Sequence, residues 1–167
     1  GVSIHGSCRI ADPNIVMAMP ETGIGFFPDV GGSYFLSRSP GELGAYLGLT
    51  GARFTASDAH YCGLVDYQVD KKNFDELTAL LIDGDLSHKT HVADIVEQFA
   101  KPFADSQLAV NEKLINHFFS HNSIGEILKR LTHDESEFSK DTLAILQQKS
   151  PTSLRLRLQQ LPDGRRL

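Results

Sequence analysis

The pattern of hydrophobic and polar positions differs between the first 70 residues and the rest of the chain. In the first part, short apolar or alternating segments are separated by turn residues, which is typical of β-strands. The predicted strands cover residues 2–6, 8–11, 15–19 and 64–69. The segment at 15–19 is apolar throughout and stops at Pro20, which cannot donate to a sheet, so we expect a buried strand there.

Short helices interrupt these strands. The apolar spacing predicts helices over residues 32–38 and 42–49, and a third that ends near Cys62. Thr55 and Asp58 have the spacing of a capping box, in which two side chains satisfy free amides of the first helical turn. Gly63 follows at the position where a left-handed residue commonly ends a helix.

Beyond residue 73, apolar residues recur three and four positions apart, which predicts amphipathic helices. These helices are expected over residues 73–81, 91–99, 106–120, 123–131, 138–148 and from Pro151 onward. Ser123 is the expected cap of the fourth, with Glu126 three residues later. The leucines after Pro151 also alternate, which leaves a strand open there. The sequence therefore predicts an α/β region over residues 1–72 and a helical region over residues 73–167.

Composition and charge narrow the classes of function. The chain has 167 residues, of which 41% are hydrophobic and 22% charged, as in an ordinary globular domain. Its net charge of -5 argues against a general role in binding nucleic acid or a membrane surface. No apolar run approaches the roughly 20 residues of a membrane-spanning helix. The two cysteines and seven histidines show no metal-ligand spacing, so no metal site is predicted.

The candidate chemistry lies in the glycine-rich stretch over residues 19–32, which holds two carboxylates, Glu21 and Asp29. Glu21 follows a predicted strand and Pro20, a position where catalytic groups often project from a rigid backbone. A carboxylate that caps a nearby helix is an equally open interpretation. Asp29 fits the N-cap of the helix that follows it, or a second acid facing the same cavity as Glu21.

The same stretch resembles a known family. The sequence at 18–36, together with Ser-Ile-His-Gly at 3–6, Leu-Thr-Gly at 49–51 and Lys-Ser-Pro-Thr-Ser at 149–153, is similar to the crotonase (enoyl-CoA hydratase/isomerase) superfamily. Within it, the similarity is to the 3-hydroxyisobutyryl-CoA hydrolase branch. Typical hydratases of the superfamily usually have glycine at the position of Asp29, so the acid there indicates the hydrolase branch.

The resemblance implies a crotonase-like spiral core followed by helices, and hydrolysis of a short β-hydroxyacyl-CoA thioester in valine breakdown. Glu21 and Asp29 match the catalytic carboxylates, and both are implied to bind the substrate, together with Gly1 at the end of a glycine-rich loop. Coenzyme A would be part of the substrate, with no separate cofactor. The acyl-CoA is the implied partner, and a homo-oligomer is compatible with the resemblance. The expected location is the cytoplasm of a bacterium or the mitochondrial matrix of a eukaryote.

One departure from the family pattern concerns the oxyanion hole, the pair of backbone amides that polarises the thioester carbonyl. The resemblance places both amides upstream of Gly1, so the sequence reads as a fragment that we expect to be inactive by itself. Two alternatives stay open. One is an enoyl-CoA hydratase or isomerase, and the other is a non-catalytic module that binds acyl-CoA or assists assembly.

Overall fold

The computed structural model describes residues 3–27, 29–84 and 89–166. The strands within these residues are β1 (Ile10–Ala11), β2 (Val16–Met17), β3 (Phe54–Thr55), β4 (Tyr67–Val69) and β5 (Ala100–Lys101). The helices of the first region are α1 (Gly32–Leu36), α2 (Leu43–Thr50) and α3 (Ala56–Tyr61). The later helices are α4 (Phe74–Asp83), α5 (Lys89–Glu97), α6 (Gln107–Phe119), α7 (Ile124–His133), α8 (Glu137–Gln147) and α9 (Pro151–Arg166).

The strands form two small sheets. β4 is the central strand of the first, pairing in parallel with β1 and antiparallel with β5. β2 and β3 form the second, an antiparallel pair in which Met17 lies opposite Phe54. β5 thus reaches the sheet from the part of the sequence that was predicted to be helical.

The main core surrounds α2, which contacts α1, α6, α8 and α9. Leu43, Leu47 and Leu49 are completely buried in it. Gly44 is needed for this packing, because a Cβ at that position would collide with the backbone carbonyl of Leu36 at the end of α1. A helix this buried carries apolar or small residues on nearly every face, as the sequence of α2 does.

Asp58 joins two parts of the fold. Thr55 and Asp58 form the predicted capping box at the start of α3, and Gly63 has the predicted left-handed conformation, with φ of 71°. Within the capping box, Asp58 Oδ2 accepts from the Thr55 amide. Asp58 Oδ1 accepts hydrogen bonds from the Ser106 hydroxyl at 2.8 Å and the Leu108 amide at 3.0 Å. Asp58 is only 3% exposed, so this single carboxylate ties the start of α3 to the start of α6.

We expect Asp58→Asn to lower the free energy of unfolding by about 3 kcal/mol at pH 7, because charge-assisted hydrogen bonds to a buried group are lost. Burial alone raises the pKa of Asp58, but its hydrogen bonds from Leu108, Thr55 and Ser106 hold the pKa below its ordinary value. A group with a lowered folded pKa contributes stability above the ordinary value, near 3.8, and loses it as the pH falls through the folded pKa.

Urea unfolding at pH 7 and at stepwise lower pH measures this effect. The difference between wild type and Asp58→Asn should narrow below about pH 4. The control is Asp75→Asn, an exposed carboxylate in the first turn of α4, for which a change within about 0.5 kcal/mol is expected. Equal effects of the two substitutions would contradict the role given to Asp58.

Several predicted elements differ from the structure. Ser3–His5 is a 3-10 turn instead of a strand, closed by a 3.0 Å hydrogen bond from the Gly6 amide to the Ser3 carbonyl, and residue 2 lies outside the described residues. The predicted strands at 8–11 and 64–69 are shorter, as β1 and β4. Ser123 occupies the N-cap position of α7 but makes no side-chain capping bond.

The predicted buried strand at 15–19 is also wrong. Only Val16–Met17 is a strand, and the Val16 side chain is 63% exposed. β2 pairs with β3 alone, and the segment lines an open cavity of about 510 Å³ whose walls include Ile10, Phe35 and Phe54. The apolar run therefore forms part of an apolar surface that the described residues leave open.

The remaining helices agree with the predicted spacing, including the last, which is α9 and not a strand. Among the described residues, none of the helices combines the length and the apolar character needed to span a membrane.

Candidate active site

Glu21 opens a 3-10 turn, Glu21–Ile24, directly after Pro20. The turn ends at Gly25, whose φ of 79° is left-handed and whose amide donates to the Glu21 carbonyl. The amide of Phe26 donates to the same carbonyl at 2.9 Å. The backbone that carries Glu21 is therefore closed on itself by local hydrogen bonds, and glycine is favoured at position 25 because the backbone there is left-handed.

Distant parts of the chain hold this turn in place. The completely buried Thr22 donates from its hydroxyl to the carbonyl of Leu49, near the end of α2, at 3.0 Å. The amide of Ser150, just before α9, donates to the Thr22 carbonyl at 3.0 Å. Gly51 permits the close approach, because a Cβ there would lie 3.0 Å from the Pro20 Cα. The Glu21 side chain thus projects from a turn fixed by two helices.

The Glu21 carboxylate is partly buried, and its Oε2 atom is buried without a hydrogen-bond partner. Buried polar groups in folded proteins nearly always have partners, so such an atom calls for an explanation. A carboxylate oxygen kept free of protein donors is available to a ligand, a water molecule or a reacting carbonyl.

One buried cation lies near this carboxylate, and a second approaches the turn that carries it. Arg157, on α9, is completely buried, and it donates one long hydrogen bond, from Nη2 to the Gly32 carbonyl at 3.5 Å. Burial lowers the pKa of Arg157 to about 10, and the nearby Glu21 carboxylate opposes that shift, so the guanidinium is charged at neutral pH. The Lys149 ammonium approaches the same turn, 3.5 Å from the position that a Cβ on Gly23 would take.

Asp29 lies apart from these contacts. It is exposed, and no hydrogen bond to its carboxylate is found within the described residues, while its backbone carbonyl accepts from the Gly32 amide at 2.6 Å. The N-cap of α1 is Gly31, with no side-chain capping bond, so the N-cap interpretation of Asp29 is wrong. Val30 beside it has a φ of 42°, an uncommon conformation for a β-branched residue.

The structure brings Glu21 near Arg157, and the Glu21–Ile24 turn near Lys149, but shows no direct contact between Glu21 and Asp29. Gly1 and Pro28 lie outside the described residues. Within residues 3–27, 29–84 and 89–166, no three His, Cys, Asp or Glu side chains are grouped so that they could hold a metal ion. The catalytic and substrate-binding roles of Glu21, Asp29 and Gly1 stay predictions.

Sequence reasoning missed Arg157. The spacing in the sequence does indicate its burial. Arg157 lies three residues after Leu154 and four before Leu161, so it shares the helix face of these two leucines. Charged residues are rarely buried unless they are paired, so an arginine on an apolar helix face indicates a structural or functional role.

Comparison with known proteins places the fold in a family. The family model for enoyl-CoA hydratase/isomerase matches residues 1–167. The chain belongs to the enoyl-CoA hydratase/isomerase family. This confirms the resemblance to the crotonase superfamily that was inferred from the sequence around Glu21.

Relatives within the enoyl-CoA hydratase/isomerase family include mitochondrial 3-hydroxyisobutyryl-CoA hydrolases. The protein of that name from Xenopus laevis is 40% identical over 169 residues, covering 98% of this chain and 44% of the relative. The protein of that name from Homo sapiens is 38% identical with the same coverage of both chains. The chain thus spans less than half the length of the curated relatives it matches.

Solved structures confirm the crotonase fold. A carnitinyl-CoA dehydratase from Mycobacterium thermoresistibile is 33% identical with a TM-score of 0.89, over 99% of this chain and 47% of that one. An enoyl-CoA hydratase from Rhodobacter sphaeroides is 31% identical with a TM-score of 0.84, over 97% of this chain and 45% of that one.

Proposed function

We propose that the protein carrying this chain hydrolyses the thioester bond of 3-hydroxyisobutyryl-CoA or a similar short β-hydroxyacyl-CoA, a step of valine breakdown. The observation that carries the proposal is the Glu21 carboxylate, which projects from a rigid turn with one oxygen buried and free of protein donors. The names of the similar mitochondrial hydrolases support the same substrate class.

Glu21 offers two routes to hydrolysis. Its carboxylate can attack the thioester carbonyl, which forms an acyl-glutamyl anhydride and expels the CoA thiolate, and water then cleaves the anhydride. Alternatively, it takes a proton from a water molecule that attacks the carbonyl, and the thiolate leaves with a proton returned to it. Asp29 would bind the β-hydroxyl group or assist proton transfer, and Gly1 would belong to the substrate-binding loop.

A second candidate is an enoyl-CoA hydratase or isomerase. It is favoured by the similar solved structures, which are named as a dehydratase and a hydratase. Asp29 argues against it, because hydratases of the superfamily usually have glycine there. A third candidate, a non-catalytic acyl-CoA binding module, is the function that the chain would retain if the polarising amides were absent.

The location follows the substrate class. The similar hydrolases are named as mitochondrial proteins, so we propose the mitochondrial matrix if the source is a eukaryote and the cytoplasm if it is a bacterium. The acyl-CoA is the proposed partner of the site, and association into a homo-oligomer is compatible with the family.

The test uses the complete natural polypeptide that carries this chain. Free thiol release is measured with 3-hydroxyisobutyryl-CoA, 3-hydroxypropionyl-CoA and crotonyl-CoA, and hydration of the crotonyl double bond is followed in parallel. We expect kcat/KM for thiol release from 3-hydroxyisobutyryl-CoA to exceed that for crotonyl hydration by about 100-fold or more, because only the hydroxyacyl ester meets both carboxylates. Hydration without thiol release would favour the second candidate, and binding without turnover the third.

A further inference from the structure

Two oppositely charged groups near each other in the fold have buried polar atoms without hydrogen-bond partners. Glu21 Oε2 has no hydrogen-bond partner, and neither have Nε and Nη1 of Arg157. The described residues contain no ion pair between them within 4.0 Å. An unpaired guanidinium in the interior is costly, and it is normally excluded unless it has a function.

The end of α2 positions both groups. Gly48 leaves the space that the guanidinium fills, because a Cβ there would collide with Arg157. One residue later, the Leu49 carbonyl accepts the hydrogen bond from Thr22, the neighbour of Glu21. On the other side, Arg157 reaches the Gly32 carbonyl at the first residue of α1. The guanidinium therefore lies between the end of α2 and the start of α1, close to the residue that holds the Glu21 turn.

We propose that Arg157 is a positioning residue that acts through Glu21: its buried guanidinium stabilises the negative charge of the carboxylate and leaves the free oxygen able to react. The proposal rests on the function proposed for Glu21. Arg157 is completely buried, so we assign it no direct contact with the substrate.

The physical reason is the low polarity of the site. A nearby positive charge favours the ionised form of a carboxylate, and the effect grows where water is excluded. Arginine suits this position because its guanidinium holds its proton when buried. A direct ion pair would occupy the carboxylate oxygens with hydrogen bonds, whereas a cation slightly further away stabilises the charge and leaves Oε2 free to react.

Other charged groups around the turn differ in their surroundings. Lys149 approaches from the segment before α9 but is only partly buried, so solvent screens it more. Asp29 is exposed. α2 carries no Asp, Glu, Lys, Arg or His, and its Tyr46 packs against Phe119 and Phe138. Arg157 is therefore the buried charge that faces Glu21 in the described part of the chain.

The test compares Arg157→Met, Arg157→Gln and Arg157→Lys in the complete polypeptide. Arg155→Met, which removes an exposed arginine of the same helix, is the matched control. The first readout is the 13C NMR titration of the Glu21 side-chain carboxyl, assigned with Glu21→Gln and recorded without substrate. The second is the pH profile of kcat/KM for thiol release.

We expect the midpoint of the Glu21 titration, and the acidic limb of the pH profile, to move up by about one pH unit in Arg157→Met and Arg157→Gln. Arg157→Lys should move both less than Arg157→Met does, because its ammonium restores a positive charge but holds its proton less firmly than a guanidinium when buried. Arg155→Met should leave both unchanged. Arg157→Gln carries the comparison if Arg157→Met does not fold.

A uniform loss of rate with an unmoved Glu21 titration would overturn the proposal, since it would mean that Arg157 is only structural. Unchanged titration and unchanged rate would overturn it as well. The NMR readout needs no turnover, so it separates the two proposals: a shifted titration without thioesterase activity would refute the proposed reaction and leave the role of Arg157 intact.

Discussion

Glu21→Gln is expected to lower kcat for thiol release from 3-hydroxyisobutyryl-CoA by about 1,000-fold, within the 10²–10⁴ range of a positioned acid–base group. Glutamine has nearly the same shape, but its amide neither attacks a thioester carbonyl nor accepts a proton from water. The turn itself should persist, because Thr22 and Ser150 hold it through contacts that do not involve the Glu21 side chain.

Steady-state kinetics on the complete polypeptide measure this effect, with KM expected to change little. Glu126→Gln, at an exposed carboxylate of α7, is the control and should keep the wild-type rate. Asp29→Asn tests the second carboxylate, and a smaller loss of about 10- to 100-fold is expected because it assists rather than attacks. Full activity in both Glu21→Gln and Asp29→Asn would show that the site is assigned to the wrong residues.

Residues 1–167 alone are expected to hydrolyse the same substrate at least 10²–10³-fold more slowly than the complete polypeptide, the cost of losing even one oxyanion donor. The family resemblance places both polarising amides outside these residues. Amides around Glu21 do not replace them, because those of Gly23, Gly25 and Phe26 donate to carbonyls of Pro20 and Glu21 within the turn.

Thiol release by the two purified polypeptides, at equal concentration, gives the comparison. Cooperative urea unfolding of residues 1–167 is the control that the isolated chain is folded. A folded isolated chain with a rate near that of the complete polypeptide would refute this expectation, and an oxyanion hole would then have to be sought among residues 3–166.

The elements that could be predicted are those whose cause is local. The capping box of Thr55 and Asp58 and the left-handed Gly63 depend on neighbouring backbone groups, so the sequence alone indicates them. The segment at 15–19 shows the limit of this reasoning. An apolar run predicts a segment that is buried in the complete protein, but it does not show which residues bury it. Within the described residues, the Val16 side chain is exposed.

The candidate site divides in the same way. Glu21 could be singled out because a carboxylate after an apolar run and a proline is unusual, and the family pattern agreed with it. Its supports could not be found this way, because Leu49 and Ser150 contact the turn, and Arg157 comes near Glu21, only through tertiary packing. The N-cap interpretation of Asp29 was wrong because Gly31, not Asp29, occupies the cap position.

The anchoring of the Glu21 region by α9 has a consequence for the order of synthesis. Arg157 and Gly32 meet across 125 positions of sequence, and Arg38 and Gly164 across 126. On the ribosome, the turn with Glu21 therefore emerges long before the helix that supports it, and contacts this distant form late. A nascent chain halted before Ser150 therefore holds the Glu21 turn only through the contact of Thr22 with Leu49, and the synthesis of Ser150 and α9 adds the remaining support.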